Sequence, residues 1–258
     1  MRAPISAGSV PAVVLAGGTA KPEFIQKTGL TNRALIEVDG KTMLQKVVEA
    51  LRGASVIGQI SVVSDLPGSS EYISVSDHGG FVENIFAGVE ASPPCEYVLI
   101  STADVPFLTS DAVQDLVVRG AGLGADIVYP VVEVAECYRR FPGVKRTAVK
   151  LNEGEYTGGN LVLARPEFLK RQKQHLIQAY AARKSPVKIA VKLGAGTILR
   201  FVLSKAVSPV FINIPLLEGK VSGVLGGTAR ALISPYPELA TDIDRVEDLE
   251  AIAPLSRV

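Results

Sequence analysis

The sequence predicts an α/β fold in which a mainly parallel, mixed central sheet is flanked by helices. Three observations carry that reading. Short apolar runs alternate with helical patterns along most of the chain, which is the signature of β-α-β units. Val98-Leu99-Ile100 is apolar at consecutive positions, as a strand covered on both faces must be. A length of 258 residues suits one large α/β domain or two small ones at roughly 150 residues each. With no internal repeat and no separating linker, the economical reading is one domain over residues 1–258 with a helical insert at 186–225.

The elements follow in order. Residues 10–16 read as a buried strand that breaks into Gly17-Gly18. Residues 34–38 are a second extended piece closed by the turn Asp39-Gly40, after which Met43, Val47, Val48 and Leu51 recur at helical spacing over 42–52. A strand at 59–63, a helix at 82–91 and a central strand at 97–102 come next. Thr109 or Ser110 caps a helix carrying Val113, Leu116 and Val117, with Asp111 in its positive first turn. Strands are expected at 126–132, 146–151 and 160–164. Pro166 opens a helix to about residue 183, since proline suits the first helical position. Residues 186–217 are apolar with Lys188, Lys192, Arg200 and Lys205 spaced along them. They read as a helix pair closing over the sheet with snorkelling lysines, or as an amphipathic surface meeting a membrane or a hydrophobic substrate tail. The chain returns to the sheet at 230–234 and ends in a helix at 245–252.

Composition removes several function classes. Lys+Arg number 27 against Asp+Glu 26, a formal charge of +1, so the basic face of a nucleic-acid binder is not expected. Cys95 and Cys137 form no CxxC pair; a disulfide framework and structural zinc are both disfavoured, and a cytoplasmic location is the default. With only His78 and His175, a multi-histidine metal site and a Ser/His/Asp hydrolase lack parts. The apolar run at 10–16 is too short for a membrane span or a signal-peptide core.

Three constellations carry chemistry. Leu15-Ala16-Gly17-Gly18 puts paired glycines after a buried strand, where bare backbone N–H groups can approach a phosphate or a base. It matches neither GxxxxGK[ST] nor GxGxxG. Asp104, in Ser101-Thr102-Ala103-Asp104-Val105-Pro106, stands just beyond the carboxyl end of the central strand, where open α/β sheets bind ligands. Thr241-Asp242-Ile243-Asp244, followed by Glu247, supplies further carboxylates. Mg²⁺ takes one or two carboxylates plus substrate phosphates, so Asp242 or Asp244 is expected to join Asp104. Asp244 with Glu247 also fits a helix-capping pattern.

LAGG, NRALIEVDGKTMLQKVVEALR, STADVPFLT, EYTGGN and DIDRVEDLEAI, in this order, resemble the MobA-like nucleotidyltransferases, whose α/β fold is of the GT-A type. The resemblance spans about residues 10–252, with 186–224 outside it. It implies that Leu15, Ala16, Gly17 and Gly18 hold base and phosphates, joined by Gly79, Gly80 and Asn84 in a base-reading loop with Glu83. It implies Asp104 and Asp242 or Asp244 as Mg²⁺ ligands. Arg33 stands where the family commonly has a phosphate-gripping lysine, and Lys21 or Lys27 is the nearest cation after the glycine loop, which is expected to be mobile until nucleotide binds. Thr157, Gly158, Gly159 and Asn160 border the acceptor phosphate, and Lys145, Arg146 and Lys150 lie where a phosphorylated acceptor is held. The implied activity is transfer of an NMP from an NTP to a phosphorylated small-molecule acceptor, releasing pyrophosphate. The alternatives are a GT-A glycosyltransferase using a nucleotide-sugar, which typically shows Asp-x-Asp where this chain has Thr102-Ala103-Asp104, and a nucleotide-binding regulatory module without turnover.

Overall fold

The computed structural model describes residues 5–182 and 212–252. Its strands are β1 Val10–Leu15, β2 Glu37–Val38, β3 Lys41–Thr42, β4 Ile57–Val63, β5 Ile73–Val75, β6 Val98–Thr102, β7 Ile127–Glu133, β8 Val149–Leu151, β9 Gly154–Gly158, β10 Leu161–Ala164 and β11 Ala229–Ile233. Its helices are α1 Pro22–Thr28, α2 Met43–Gly53, α3 Phe81–Glu90, α4 Ser110–Leu123, α5 Val134–Arg140, α6 Pro166–Arg171, α7 Lys173–Ala182, α8 Ile214–Leu225 and α9 Val246–Ile252. The main sheet runs β5-β4-β1-β6-β10-β7-β9-β8, with β11 on β7. It is parallel from β5 to β6 and between β7 and β11, and antiparallel from β6 through β10, β7 and β9 to β8. The mixed sheet flanked by helices is the α/β class expected from the sequence.

Strand alternation sorts the core into two layers. Ala12 and Val14 of β1 face α2 and α4 through Val47, Leu51, Val113 and Leu116; Val13 faces α3 and α6 through Phe86 and Phe168. The Thr42 side chain and Gln45 form a reciprocal capping box that starts α2, and the Thr109 hydroxyl accepts from Ala112 N–H to start α4. Pro11 has no N–H to give, and the β1–β4 register shifts beside it, between Val10 and Ala12.

Several local expectations are corrected. The extended piece at 34–38 begins as a 3₁₀ turn over Arg33–Leu35, because the Asn32 side chain accepts from Ala34 N–H at 2.9 Å. Residues 22–28, where the sequence signalled no helix, form α1, whose Phe24 is buried. The strand at 146–151 shrinks to β8, which leaves Arg146 outside it, and Gly154–Gly158 form strand β9. The single helix at 166–183 is two, broken at Gln172, whose side chain donates to Gly226 O at 2.9 Å. β5 and α5 were not foreseen. Of the expected insert at 186–225, residues 186–211 lie outside the described residues, and so does most of the proposed membrane-contact stretch 186–217; among the described residues no helix is long and apolar enough to cross a membrane.

The α3–β1 contact is glycine-dependent. A Cβ on Gly88 would stand 2.2 Å from Val13 Cγ1, whereas one on Gly122 of α4 meets nothing within 4 Å. Alanine gains about 1 kcal/mol of helix propensity over glycine, but overpacking costs about 1–3 kcal/mol. Gly88→Ala is therefore expected to lower the urea midpoint and Gly122→Ala to raise it, with unchanged m-values.

Candidate functional site

The site is built where β1 and β6 end side by side. Leu15 and Thr102 are register partners, so the segments leaving them, 16–18 and 103–104, depart from one point at the carboxyl edge of the sheet, where α/β folds bind ligands. Ala103 N–H donates to Leu15 O at 3.1 Å and Ala16 N–H to Val63 O at 3.0 Å, which pins both departures. Between them opens a cleft of about 850 Å³. Leu15, Gly17, Gly18, Arg33, Gly79, Gly80, Asn84 and Asp104, all singled out in the sequence, line it together; Ala16 lines a narrower adjoining hollow.

One wall hangs on Asp77, which sequence reasoning missed. Its carboxylate accepts from Asn84 Nδ2 (2.9 Å), Gly79 N–H (2.7 Å) and Gly18 N–H (3.1 Å). These donors, Asn84 foremost, hold its pKa below the ordinary carboxylate value. Asn84 Oδ1 in turn accepts from His78 N–H at 2.7 Å. A Cβ on Gly17 would come within 2.1 Å of Asp77 Oδ2, so this close approach is what requires glycine there. The signal was present: aspartate just before paired glycines commonly closes a turn onto nearby backbone N–H groups. Asn32 was likewise passed over; its Nδ2 donates to Ala16 O at 2.8 Å, tying the Arg33 turn to the glycine loop.

The opposite wall is acidic. In the segment 241–244, Thr241 and Ile243 are fully buried, so by extended alternation Asp242 and Asp244 point the other way. Ile243 N–H donates to Asp104 O at 2.9 Å and sews this segment to the loop after β6. Arg33 joins the two acids: Nη2 lies 2.9 Å from Asp104 Oδ2, and Nη1 pairs with Asp244 Oδ1. Burial works against the Arg33 charge, but Asp104, Asp244 and Asp242 outweigh it and raise its pKa above the usual arginine value. Asp242 has no cation to itself. Asn160 Nδ2 donates to it at 3.3 Å, while burial first, then the charges of Asp104 and Asp244, push its carboxyl up to about 6.

The expected capping role of Asp244 is corrected. Asp248 Oδ2 accepts from Arg245 N–H (2.8 Å) and Asp244 N–H (3.2 Å) at the start of α9, which leaves the Asp244 carboxylate to Arg33. Lys21 Nζ reaches Asp244 O at 3.4 Å, at the edge of the acid group. Lys27 pairs with Glu250 at 2.9 Å. Arg146 spends its terminal nitrogens on Ala240 O and Thr241 Oγ1, so it braces the acidic segment. Gly159 is buried, with Pro130 Cγ and Leu239 O where a Cβ would go. Thr157 and Gly158 line a separate apolar hollow.

The donor set fits a hard divalent cation in one respect and limits it in another. Asp104 Oδ1 is buried with no hydrogen-bond partner among the described residues, and Asp242 faces unneutralised like charge. Yet among the described residues no three Asp, Glu, His or Cys side chains are grouped to hold a metal by themselves. An ion that takes one or two carboxylates and completes its shell with water and substrate oxygens matches this arrangement.

A family model for the MobA-like NTP transferase domain matches residues 12–187, more than half of the chain. The chain belongs to the MobA-like NTP transferase family. The chain is 33% identical to a solved structure described as a hypothetical transferase from Thermus thermophilus, covering 93% of this chain and 99% of that one with a TM-score of 0.82. A probable molybdenum cofactor guanylyltransferase from Methanosarcina acetivorans is 29% identical over 127 residues, 43% of this chain and 53% of that protein. The chain thus spans about half the length of this curated relative. A 2-C-methyl-D-erythritol 4-phosphate cytidylyltransferase, also from Thermus thermophilus, shares the fold at 17% identity, covering 97% of this chain and 100% of that one, TM-score 0.55.

The raised Asp242 pKa has a testable sign. A carboxyl whose folded pKa exceeds its ordinary value favours the fold when protonated; that contribution is complete below the ordinary value and is lost as pH climbs through about 6. Above pH 6 the ionised Asp242 costs stability. In metal-free buffer at pH 8, Asp242→Asn is expected to raise Tm by at least about 2–4 °C, the equivalent of roughly 1 kcal/mol at this size. The gain shrinks toward pH 5, as thermal melts across that range will read.

Proposed function

We propose that the chain is a nucleotidyltransferase that moves an NMP from an NTP to a phosphorylated small-molecule acceptor with the help of a divalent cation, Mg²⁺ by preference. The observation that carries this reading is the single cleft in which a glycine loop faces Arg33 and Asp104 across about 850 Å³. Family membership supports it, and so does the guanylyltransferase named among its relatives.

In this reaction an acceptor phosphate oxygen attacks the α-phosphorus. The new P–O bond forms as the α–β bridging bond breaks, and pyrophosphate leaves with the electron pair. A phosphate monoester is largely dianionic near neutral pH, so the nucleophile needs no general base. Bound to the carboxylates, a divalent ion supplies charge stabilisation and a template for phosphate oxygens. Asp104, with a buried oxygen to spare, and Asp242, relieved of like charge, are the residues that would hold it. Backbone N–H groups of the glycine loop receive the nucleotide without side chains in the way. Arg33 changes partners: its guanidinium, paired with Asp104 and Asp244, turns to phosphate oxygens that its two-pronged geometry suits equally well.

The test is a thermal-shift panel of ATP, GTP, CTP and UTP with and without Mg²⁺. At 100 times Kd a ligand stabilises by about 2.7 kcal/mol, or roughly 5–10 °C here. One NTP is expected to shift the protein in a Mg²⁺-dependent way, and Asp104→Asn to remove that dependence and lower pyrophosphate release at least about a hundredfold. A panel in which only nucleotide-sugars shift the protein assigns it to glycosyl transfer instead.

A further inference from the structure

A mainly apolar hollow, with Glu218 and Arg230 also in its lining, lies away from the nucleotide cleft. About 410 Å³ open between the Ile127, Tyr129 and Val131 face of β7, the Tyr156 ring of β9, and Leu217 and Val221 of α8. That volume falls within the range of small-molecule pockets. Helix α8 reads IPLLEGKVSGVL, yet none of its residues is buried, and Tyr129, Val149 and Val221 are among the exposed large hydrophobics. Contiguous exposed apolar surface of this kind marks a binding site.

Continuity with the reaction site says what fits there. A second apolar hollow, about 270 Å³, shares Ile127 with the first and reaches Leu15, Phe81, Thr102 and Asn160. Leu15, Phe81 and Thr102 also line the nucleotide cleft, and Asn160 holds Asp242. The two hollows therefore meet at Ile127 as one mainly apolar trench along the sheet face, with Asn160, the Asp242 partner, at one end. Tyr129 sits near that end too: a Cβ on Gly158 would stand 2.3 Å from its hydroxyl.

We infer that this trench is the acceptor site and that it selects a phosphate monoester carrying an aliphatic or aromatic body, with the phosphate at the Asn160 end and the apolar body laid over Ile127 toward Leu217. The inference rests on the proposed nucleotidyl transfer for the role of the phosphate, but the apolar selectivity stands by itself.

Calorimetric titration of the full chain with inorganic phosphate and with butyl, hexyl and octyl phosphate, without nucleotide, reads that selectivity. Affinity is expected to rise with chain length, by up to about fourfold per methylene. Val221→Trp, which plugs the trench from an exposed position, is expected to flatten the series, while Val118→Trp, on an exposed position of α4, leaves it graded. A flat series in the unmodified chain overturns the inference and needs no variant; so does a graded series that survives in folded Val221→Trp. Self-association abolished by Val221→Trp, with no preference among the phosphates, also overturns it and gives the face to a second copy of the chain. A graded series with no NTP response in the thermal-shift panel overturns the nucleotidyltransferase reading and keeps the trench; an NTP response with a flat series does the reverse.

Discussion

The backbone bond from Ile243 N–H to Asp104 O is the joint on which the acidic site depends. It fastens a segment near the end of the described chain to the tip of a central strand more than a hundred residues earlier. A hydrogen bond of this kind contributes only about 1 kcal/mol net, so it does not hold the segment alone. Burial of Ile243, worth about 1.5–3 kcal/mol for a side chain of its size, anchors the same residue in a cluster with Phe24, Met43 and Phe141. Because alternate residues of extended chain face opposite ways, anchoring Ile243 inward forces Asp242 and Asp244 outward beside Asp104. Arg146 braces the approach through Ala240 and Thr241.

Gathering three carboxylates carries a cost that the surroundings distribute unevenly. Arg33 sets one positive charge against the two of Asp104 and Asp244, and the residual strain falls on Asp242, whose carboxyl burial and those two charges push up to about 6. Across the cleft the opposite balance holds: Asp77 is satisfied by three N–H donors, and its charge organises the glycine loop. One wall is thus fixed by fulfilled hydrogen bonds and the other poised by incomplete ones, an asymmetry suited to a rigid nucleotide seat beside a reactive acidic group.

Strong periodic signals made the fold legible. The fully covered β6 and the capped, amphipathic α2 and α4 stood out because each buries a defined face. What stayed hidden was short or glycine-bearing. Thr157 to Asn160 read as a loop, yet Thr157 and Gly158 end β9, which pairs with both β7 and β8; the chain then departs from regular pairing at Gly159 and Asn160, where Gly159 N–H bonds Pro130 O and Asn160 N–H bonds Leu239 O. Helix α1 was overlooked although Pro22 at its start and Gly29 at its end, the latter with φ of 73°, are ordinary boundary residues. The acidic residues and glycines of the site were visible as types in sequence. Of their supports, Asp77 left the faint signal of an aspartate close before paired glycines and Asn32 left none, because a residue that positions others shows itself chiefly through contacts made across the chain.

The pairing of Arg33 with Asp104 and Asp244 makes the site an exchange rather than an opening. In the proposed reaction a bare divalent ion at Asp104 and Asp242 competes with a cation tethered to the chain at an effective concentration of roughly millimolar order and would leave the guanidinium with Asp244 alone. An ion arriving on a polyphosphate would bring a replacement with it: Asp104 trades arginine for metal as the arginine trades Asp104 for phosphate. In the proposed reaction the fold thereby favours the nucleotide–metal complex as the entering species over either component alone.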